Sequence, residues 1–445
     1  MTDESLPPQF IDEEDHPVFP VRGKSPPPDA VAAPLRPIGE RKLTFWRTLD
    51  KSLLIITGML LTLGTMMVFS ATFNWSLAEF GDETTVLMSH VRNVVIGLAA
   101  MMVFARIEPR LIRRFSVVIF LMAVSFLIAV LLFGDETFGA RRALRNGRFQ
   151  PGEFSELATI IYMAAWLGAK KTRVRSIPYG LIPFVALVSL IAGLVVIQPD
   201  LSTAAVIVLT SGMMFFLAGA DRRQVLISAA AILVLGVAAD SMQLLPSYAI
   251  ERVESYIAGI SDLTQTSYHT QQAIISIRYG GWAGLGLGES EGKFVGLPAP
   301  HTDSIFAVIG EEMGVVGAGL VVLLYLVFVV RGFQIARKAN DAFGALLAAG
   351  ITIWITMKAM LNIAVTTALL PPSGLPLPFI SFGGSSLVVL LTGVGMLLSV
   401  RRQTTLQANK PIRRKTGANY DRGWRDRRTR VPRPRHRRGD SETTA

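Results

Sequence analysis

Between residues 52 and 400 the chain returns repeatedly to apolar runs of about 20 residues, the length a helix needs to cross a ~30 Å hydrocarbon layer. Inside such a layer every backbone N–H and C=O must be paired within the protein, so these runs admit helices and little else. We place ten, near 52–72, 88–105, 116–134, 153–169, 178–197, 202–219, 224–240, 304–330, 343–370 and 379–400. The expected fold is an all-α polytopic membrane protein of about ten transmembrane helices. Charged residues are 17% of the chain, against about 25% in an ordinary soluble domain, which fits that class.

Lys and Arg accumulate on cytoplasmic loops, and this sets the direction of threading. With the N-terminus inside, the inner connections carry Arg106, Arg110, Arg113 and Arg114, then Lys170, Lys171, Arg173 and Arg175. Arg222 and Arg223 follow, then Arg331, Arg337 and Lys338, while the outer connections 73–87 and 371–378 carry neither residue type. An even number of spans leaves both termini cytoplasmic. Residues 1–46 are rich in Pro and acids, lack the apolar core of a signal peptide, and read as a disordered tail. The helical domain is expected over 47–402, with a basic cytoplasmic tail over 403–445.

From Arg401 onward there are 15 Lys and Arg against 4 Asp and Glu, which accounts for the whole net charge of +11. Such a tail suits anionic lipid headgroups, and we expect no nucleic-acid partner, because only Tyr420 and Trp424 offer stacking faces. Cysteine is absent, which removes thiol catalysis and disulfides, and the five histidines show no zinc-binding spacing.

Two outer segments depart from a bare membrane bundle. The loop Gly134–Gln150 keeps Arg141, Arg142, Arg145 and Arg148 outside, against the usual bias, which points to an anion bound there. The segment 241–303, between the seventh and eighth spans, is far longer than the ~4–6 residues of a usual connection. It carries Lys293 and ends at Asp303, at the start of a span holding Glu311 and Glu312. Eight helical residues put Asp303 and Glu311 about 80° and ~12 Å apart, so only Asp303 stands at the surface beside the outer cations. Glu311 and Glu312 read as buried anchors that pin their helix to its neighbours. The glycines from Gly280 to Gly288 lack the context of a phosphate loop and read as a site of tight packing. Pro371, Pro372, Pro376 and Pro378, with Gly374, read as a rigid re-entrant turn.

Other polar residues lie where lipid should be: Glu153, Glu156, Asp200, Lys358 and Asn362. A lone lysine at depth costs ~3 kcal/mol on insertion scales and should face a partner in the bundle. Lys358 and Asn362 are four residues apart and share one helix face.

The blocks Gln198–Val208 (QPDLSTAAVIV), Gly284–Ala318 (GLGLGESEGKFVGLPAPHTDSIFAVIGEEMGVVGA) and Leu370–Leu387 (LPPSGLPLPFISFGGSSL) resemble signature blocks of the SEDS family, which includes FtsW and RodA. A fourth block, Gly139–Glu156, matches more loosely, and the likeness to FtsW is the stronger. The resemblance implies a ten-helix peptidoglycan glycosyltransferase of the bacterial cytoplasmic membrane, at the division septum. Its substrate would be lipid II, polymerised outside, and its partners a class B penicillin-binding protein and other divisome proteins. The family's essential aspartate falls on Asp303, as general base for the attacking sugar hydroxyl. Substrate contacts are expected from Arg141, Arg142, Arg145, Arg148, Glu153, Lys293, His301 and Thr302, with the cations on the pyrophosphate. Single displacement would invert the sugar; a retaining route would need Glu289 or Glu291. No organic cofactor is implied, and a divalent cation, Mg or Mn, is a further candidate. Ser385 and Ser386, like Asp200, Glu156, Glu311, Glu312, Lys358 and Asn362, are expected to be buried polar residues.

The chain also departs from the family pattern. Ala143 stands for a tryptophan, Glu156 for a lysine, Ala299 for an acid, Ser304 for a phenylalanine, and Lys358 for a glutamine. The last departure suggests a compensating ion pair between Glu156 and Lys358, although an outer position against a mid-span one argues against contact. Three alternatives stand beside the septal polymerase: an elongation-type RodA polymerase, a lipid II flippase, and a non-catalytic scaffold for a transpeptidase.

Overall fold

The computed structural model describes residues 44–137, 140–143, 150–169, 173–228, 230, 247–262 and 265–409; for 135–137, 140–143, 247–249, 260, 261 and 295 it describes the backbone alone. Both expected tails, 1–43 and 410–445, and most of the expected span 224–240 lie outside these residues. The helices are α1 (Phe45–Thr48), α2 (Lys51–Phe80), α3 (Thr85–Arg106), α4 (Pro109–Phe133), α5 (Pro151–Leu167), α6 (Ile177–Ile197, opening with a π turn) and α7 (Leu201–Leu217). The long outer segment carries α8 (Ser247–Ser261), α9 (Tyr268–Gly280) and α10 (Gly292–Val295). Then come α11 (Ile305–Lys338), α12 (Ala342–Thr366) and α13 (Ser385–Ala408). Among the described residues seven helices are long and apolar enough to cross a membrane, α2, α3, α4, α6, α11, α12 and α13, and α7 is a shorter apolar one.

One departure from all-α is a hairpin in the arginine-rich loop, where β1 (Asp135–Thr137) pairs antiparallel with β2 (Ala140–Ala143). Residues that the charge pattern assigns to the same side meet at the same end of the bundle, named here inner and outer by that expectation. At the inner end Asp50 faces Arg401 at 3.8 Å, and Arg402 donates to the Arg106 carbonyl at 2.8 Å. At the outer end Trp75 stacks on His301, and the Gln150 N–H reaches Ser385 Oγ at 3.1 Å. Small residues set the close approach of α3 and α13: a Cβ on Gly395 would lie 2.5 Å from the Met101 carbonyl oxygen.

The expected eighth span is not one continuous helix. α11 breaks at Gly314 (φ 66, ψ −166), leaving a short piece, Ile305–Met313, before the long one. Residues 304–312 are all buried, so the break opens backbone groups where water cannot pair them. The glycine-rich turn 281–286 supplies the partners. Leu285 N donates to Glu311 O at 3.0 Å and Gly286 N to Glu312 O at 3.1 Å. In return Val315 N donates to Gly281 O at 3.0 Å and Val316 N to Trp282 O at 3.3 Å. Such backbone-to-backbone docking demands glycine, since a Cβ on Gly284 (φ +83) would sit 2.1 Å from the Glu312 carbonyl oxygen.

Residues 371–384, between α12 and α13, form the second irregular segment. Leu375, Leu377, Phe379 and Ile380 are buried, and Tyr325 donates its hydroxyl proton to the Pro378 carbonyl. The segment reaches α2 midway along its length, where a Cβ on Gly64 would lie 2.5 Å from the Phe379 carbonyl oxygen. It is re-entrant, as the proline pattern suggests, and it passes beneath the turn that carries Asp303.

Candidate active site

Asp303 lies in a tight turn immediately before α11, with Ser304 at the helix cap position. The turn is closed by the Thr302 and Ser304 N–H groups, which both donate to the Ala299 carbonyl, at 3.1 and 3.3 Å. Three successive carbonyls then point at the re-entrant segment and its neighbouring helix. His301 O accepts from Phe382 N at 2.8 Å, Thr302 O from Ser381 Oγ at 2.6 Å, and Asp303 O from Asn362 Nδ2 at 2.9 Å. Asn362 Nδ2 also donates to Leu375 O at 2.7 Å, so one amide ties the aspartate turn to the re-entrant segment. The half-buried Asp303 carboxylate lies against Gly374, where an added Cβ would be 3.5 Å from Oδ2.

Glu311 and Glu312 are both buried, and they hold the outer segment in place. Glu311 accepts from Ser290 Oγ at 2.8 Å and from the Glu291 and Gly292 N–H groups at 2.9 and 3.0 Å. Glu312 Oε1 accepts from Ser70 Oγ of α2 at 2.5 Å and from Lys293 Nζ at 2.9 Å. Lys293 Nζ also donates to Ser70 Oγ at 3.0 Å and to Gly288 O at 2.6 Å. An ammonium has three protons, and all three are committed. Expected from the sequence as a phosphate contact, Lys293 is instead a buried counter-ion with no donor left for a ligand.

Glu153, expected to meet substrate, is likewise buried. Lys358 Nζ lies 2.9 Å from Glu153 Oε2 and 3.0 Å from Glu156 Oε2, and Trp354 Nε1 donates to the same Glu156 oxygen at 2.8 Å. The Glu156–Lys358 pair therefore forms despite the depths assigned from sequence. Glu156 is the sixth residue of α5, and Lys358 lies eight residues before the end of α12, about 12 Å below it at 1.5 Å per residue. The lysine stem spans what remains. Glu153 and Glu156, one turn apart on α5, share the one ammonium.

Among the other expected buried polar residues, Ser386 and Asn362 are buried, whereas Asp200 and Ser385 are only half-buried. Asp200 caps α7, accepting from Thr203 N at 3.1 Å and Thr203 Oγ1 at 2.8 Å. Arg141 and Arg142 are on β2, where only the backbone is described, and Arg145 and Arg148 lie outside the described residues. Ser304, the departure after Asp303, donates to Pro298 O at 2.7 Å and meets His269 Nε2 at 2.6 Å. Its only proton is committed, so His269 must be the donor, protonated at Nε2.

His301 opens onto a cleft of about 400 Å³ that sequence reasoning missed, lined also by Asn74, Trp75, Lys293 and Phe294. Trp75 stacks on the His301 ring at 5.0 Å between centroids and 11° between planes. Burial lowers the His301 imidazole below its ordinary value, so it is neutral at pH 7. Nothing in the sequence separates Trp75 from the aromatic residues that commonly end membrane helices.

A family model described as a cell cycle protein of the FtsW, RodA and SpoVE group matches residues 51–406. Stage V sporulation protein E of Bacillus subtilis is 36% identical over 361 residues, covering 79% of this chain and 97% of that protein. A probable peptidoglycan glycosyltransferase FtsW of Hydrogenovibrio crunogenus is 35% identical over 363 residues, covering 80% and 92%. A chain from a solved peptidoglycan synthase complex, described as coordinating polymerization and crosslinking, superposes with a TM-score of 0.67 at 25% identity, covering 80% of this chain and 98% of that one. The crystal structure of RodA from Thermus thermophilus superposes with a TM-score of 0.60 at 24% identity, covering 81% and 99%, and attests the fold. With the match running through every described membrane helix and through the turn that holds Asp303, the chain belongs to the FtsW/RodA/SpoVE family.

Proposed function

We propose that this multi-pass membrane protein is a peptidoglycan glycosyltransferase that polymerises lipid II at the outer face of the cytoplasmic membrane. The observation that carries the reading is the fixed position of Asp303, held at the outer end of the bundle by three consecutive backbone carbonyls. A general base must stand within hydrogen-bond reach of the proton it removes, and a rigid turn sets that reach before substrate arrives. Asp303 takes the proton of the attacking sugar hydroxyl. The hydroxyl oxygen then bonds to the anomeric carbon as the bond from that carbon to the phosphate oxygen breaks, and the lipid pyrophosphate leaves. One displacement inverts the anomeric centre.

With Lys293 committed, stabilising the leaving pyrophosphate falls to the arginines of the loop that carries β1 and β2, Arg141 and Arg142 first among them. Among the described residues no group of three or more His, Asp or Glu side chains is placed to hold a metal ion by itself. The likeness to FtsW proteins supports a septal role, and the likeness to a synthase complex supports a crosslinking transpeptidase as partner.

The test is reconstitution with a partner transpeptidase and labelled lipid II, comparing the wild type with Asp303→Ala. Strands from the wild type and none from the variant support the polymerase. Movement of lipid II across vesicles without polymer would replace it with a flippase.

A further inference from the structure

We propose that the cleft between the outer end of α2 and the turn 293–301 is a subsite for an uncharged pyranose ring, seated against Trp75. The inference rests on the polymerase reading and adds to it the part of the substrate bound here and the residues that bind it. The volume, about 400 Å³, lies within the ~300–1,000 Å³ typical of small-ligand sites.

The chemistry of the lining selects the ligand. Trp75 is 45% exposed although one face is covered by His301, and Phe294 is 56% exposed on the facing turn. Phe80 meets the Trp75 ring edge-on at 5.9 Å, and the described residues still leave aromatic surface open at the cleft. Its charged group is silent: Lys293 is matched by Glu312, its side chain is 3% exposed, and its three protons are spent. His301 is neutral at neutral pH because it is buried. Asn74 adds an amide that both donates and accepts. A pyrophosphate would find no free cation among these residues, and a purely apolar chain would make no use of the Asn74 amide. A sugar ring has an apolar C–H face for the indole and hydroxyl or acetamido groups for the amide. The placement agrees, because His301 stands two residues before Asp303 on the turn whose carbonyls are pinned. A ring seated against Trp75 meets this turn through His301, two residues from Asp303.

The probe is chitotetraose, the linear tetramer of N-acetylglucosamine, titrated against the full chain in nanodiscs by saturation-transfer NMR. The Asp303→Asn variant serves as reference, so binding is read without turnover. We expect Trp75→Ala to weaken binding about tenfold, Trp75→Phe to keep most of the affinity, and Phe294→Ala to weaken it less. In polymerisation assays Trp75→Phe should raise KM less than Trp75→Ala does. Phe294→Ala removes an exposed side chain, so it supports or overturns the subsite even where Trp75→Ala unfolds. Unchanged binding in folded Trp75→Ala, or in Phe294→Ala, overturns the subsite and leaves Trp75 a membrane-interface anchor. Displacement of the tetramer by inorganic pyrophosphate overturns it in favour of an anion site. Polymer from the wild type without tetramer binding sinks the subsite alone. Tetramer binding without polymer sinks the polymerase reading alone.

Discussion

Asn362 shows how one side chain can matter to a reaction it does not touch. Its two amide protons go to Asp303 O and Leu375 O, so the polarity of the group is settled by its neighbours, both acceptors. Leucine at this position keeps the volume and removes the donors from the buried Leu375 carbonyl and the part-buried Asp303 carbonyl, the buried loss alone costing about 1–3 kcal/mol. We expect Asn362→Leu to lower kcat at least tenfold with little change in KM, because it loosens the base and not the sugar contacts; steady-state kinetics on lipid II would show the split. Asn362→Asp, which turns the donors into acceptors, should be worse than Asn362→Leu. The sequence showed Asn362 as a polar residue in an apolar helix, but not its two partners, which lie 59 and 13 residues away. The same non-locality misled the reading of Lys293. A cation close to Asp303 in sequence looked free for phosphate, and only the fold brings Ser70, 223 residues distant, to its ammonium.

At the level of elements, the membrane helices were legible because length and apolar content decide them almost alone. The break in α11 was not, since Gly314 sits among apolar neighbours and Gly310 and Gly317 look equally suited to it. What selects Gly314 is the docking of turn 281–286, a tertiary event with no local signature. The tie between α5 and α12 was half legible: the pair Glu156–Lys358 showed as two linked departures, but Glu153 and Trp354 did not. Replacing the lysine leaves two carboxylates buried without a counter-charge. Lys358→Met should therefore cost about 3–5 kcal/mol, and neutralising both acids in the same chain (Glu153→Gln, Glu156→Gln) should return most of it. Thermal unfolding of the purified variants measures both effects.

For the whole molecule, the two ends of the bundle carry different chemistry, and charge counting along the loops had grouped the residues that meet at each. The outer end holds the half-buried histidines His269 and His301, both lowered by burial, His269 further by Arg252. Their folded values lie below the unfolded value of about 6.5, so below that pH the unfolded chain binds more protons. Stability should be level above pH 7 and fall as the pH drops through 6.5. His269→Gln, which retains a donor for Ser304, should make that acid-side slope shallower in unfolding scans from pH 5 to 8.

The pinned turn has a consequence for motion. With the carbonyls of residues 301, 302 and 303 all captured from one side, the backbone that carries Asp303 is held in place. If Asp303 is the base proposed above, a base mounted on so short a lever cannot follow a growing strand. On the proposed role of Asp303 each addition would bring the strand back to the aspartate, the site serving as a stationary die through which the polymer is drawn.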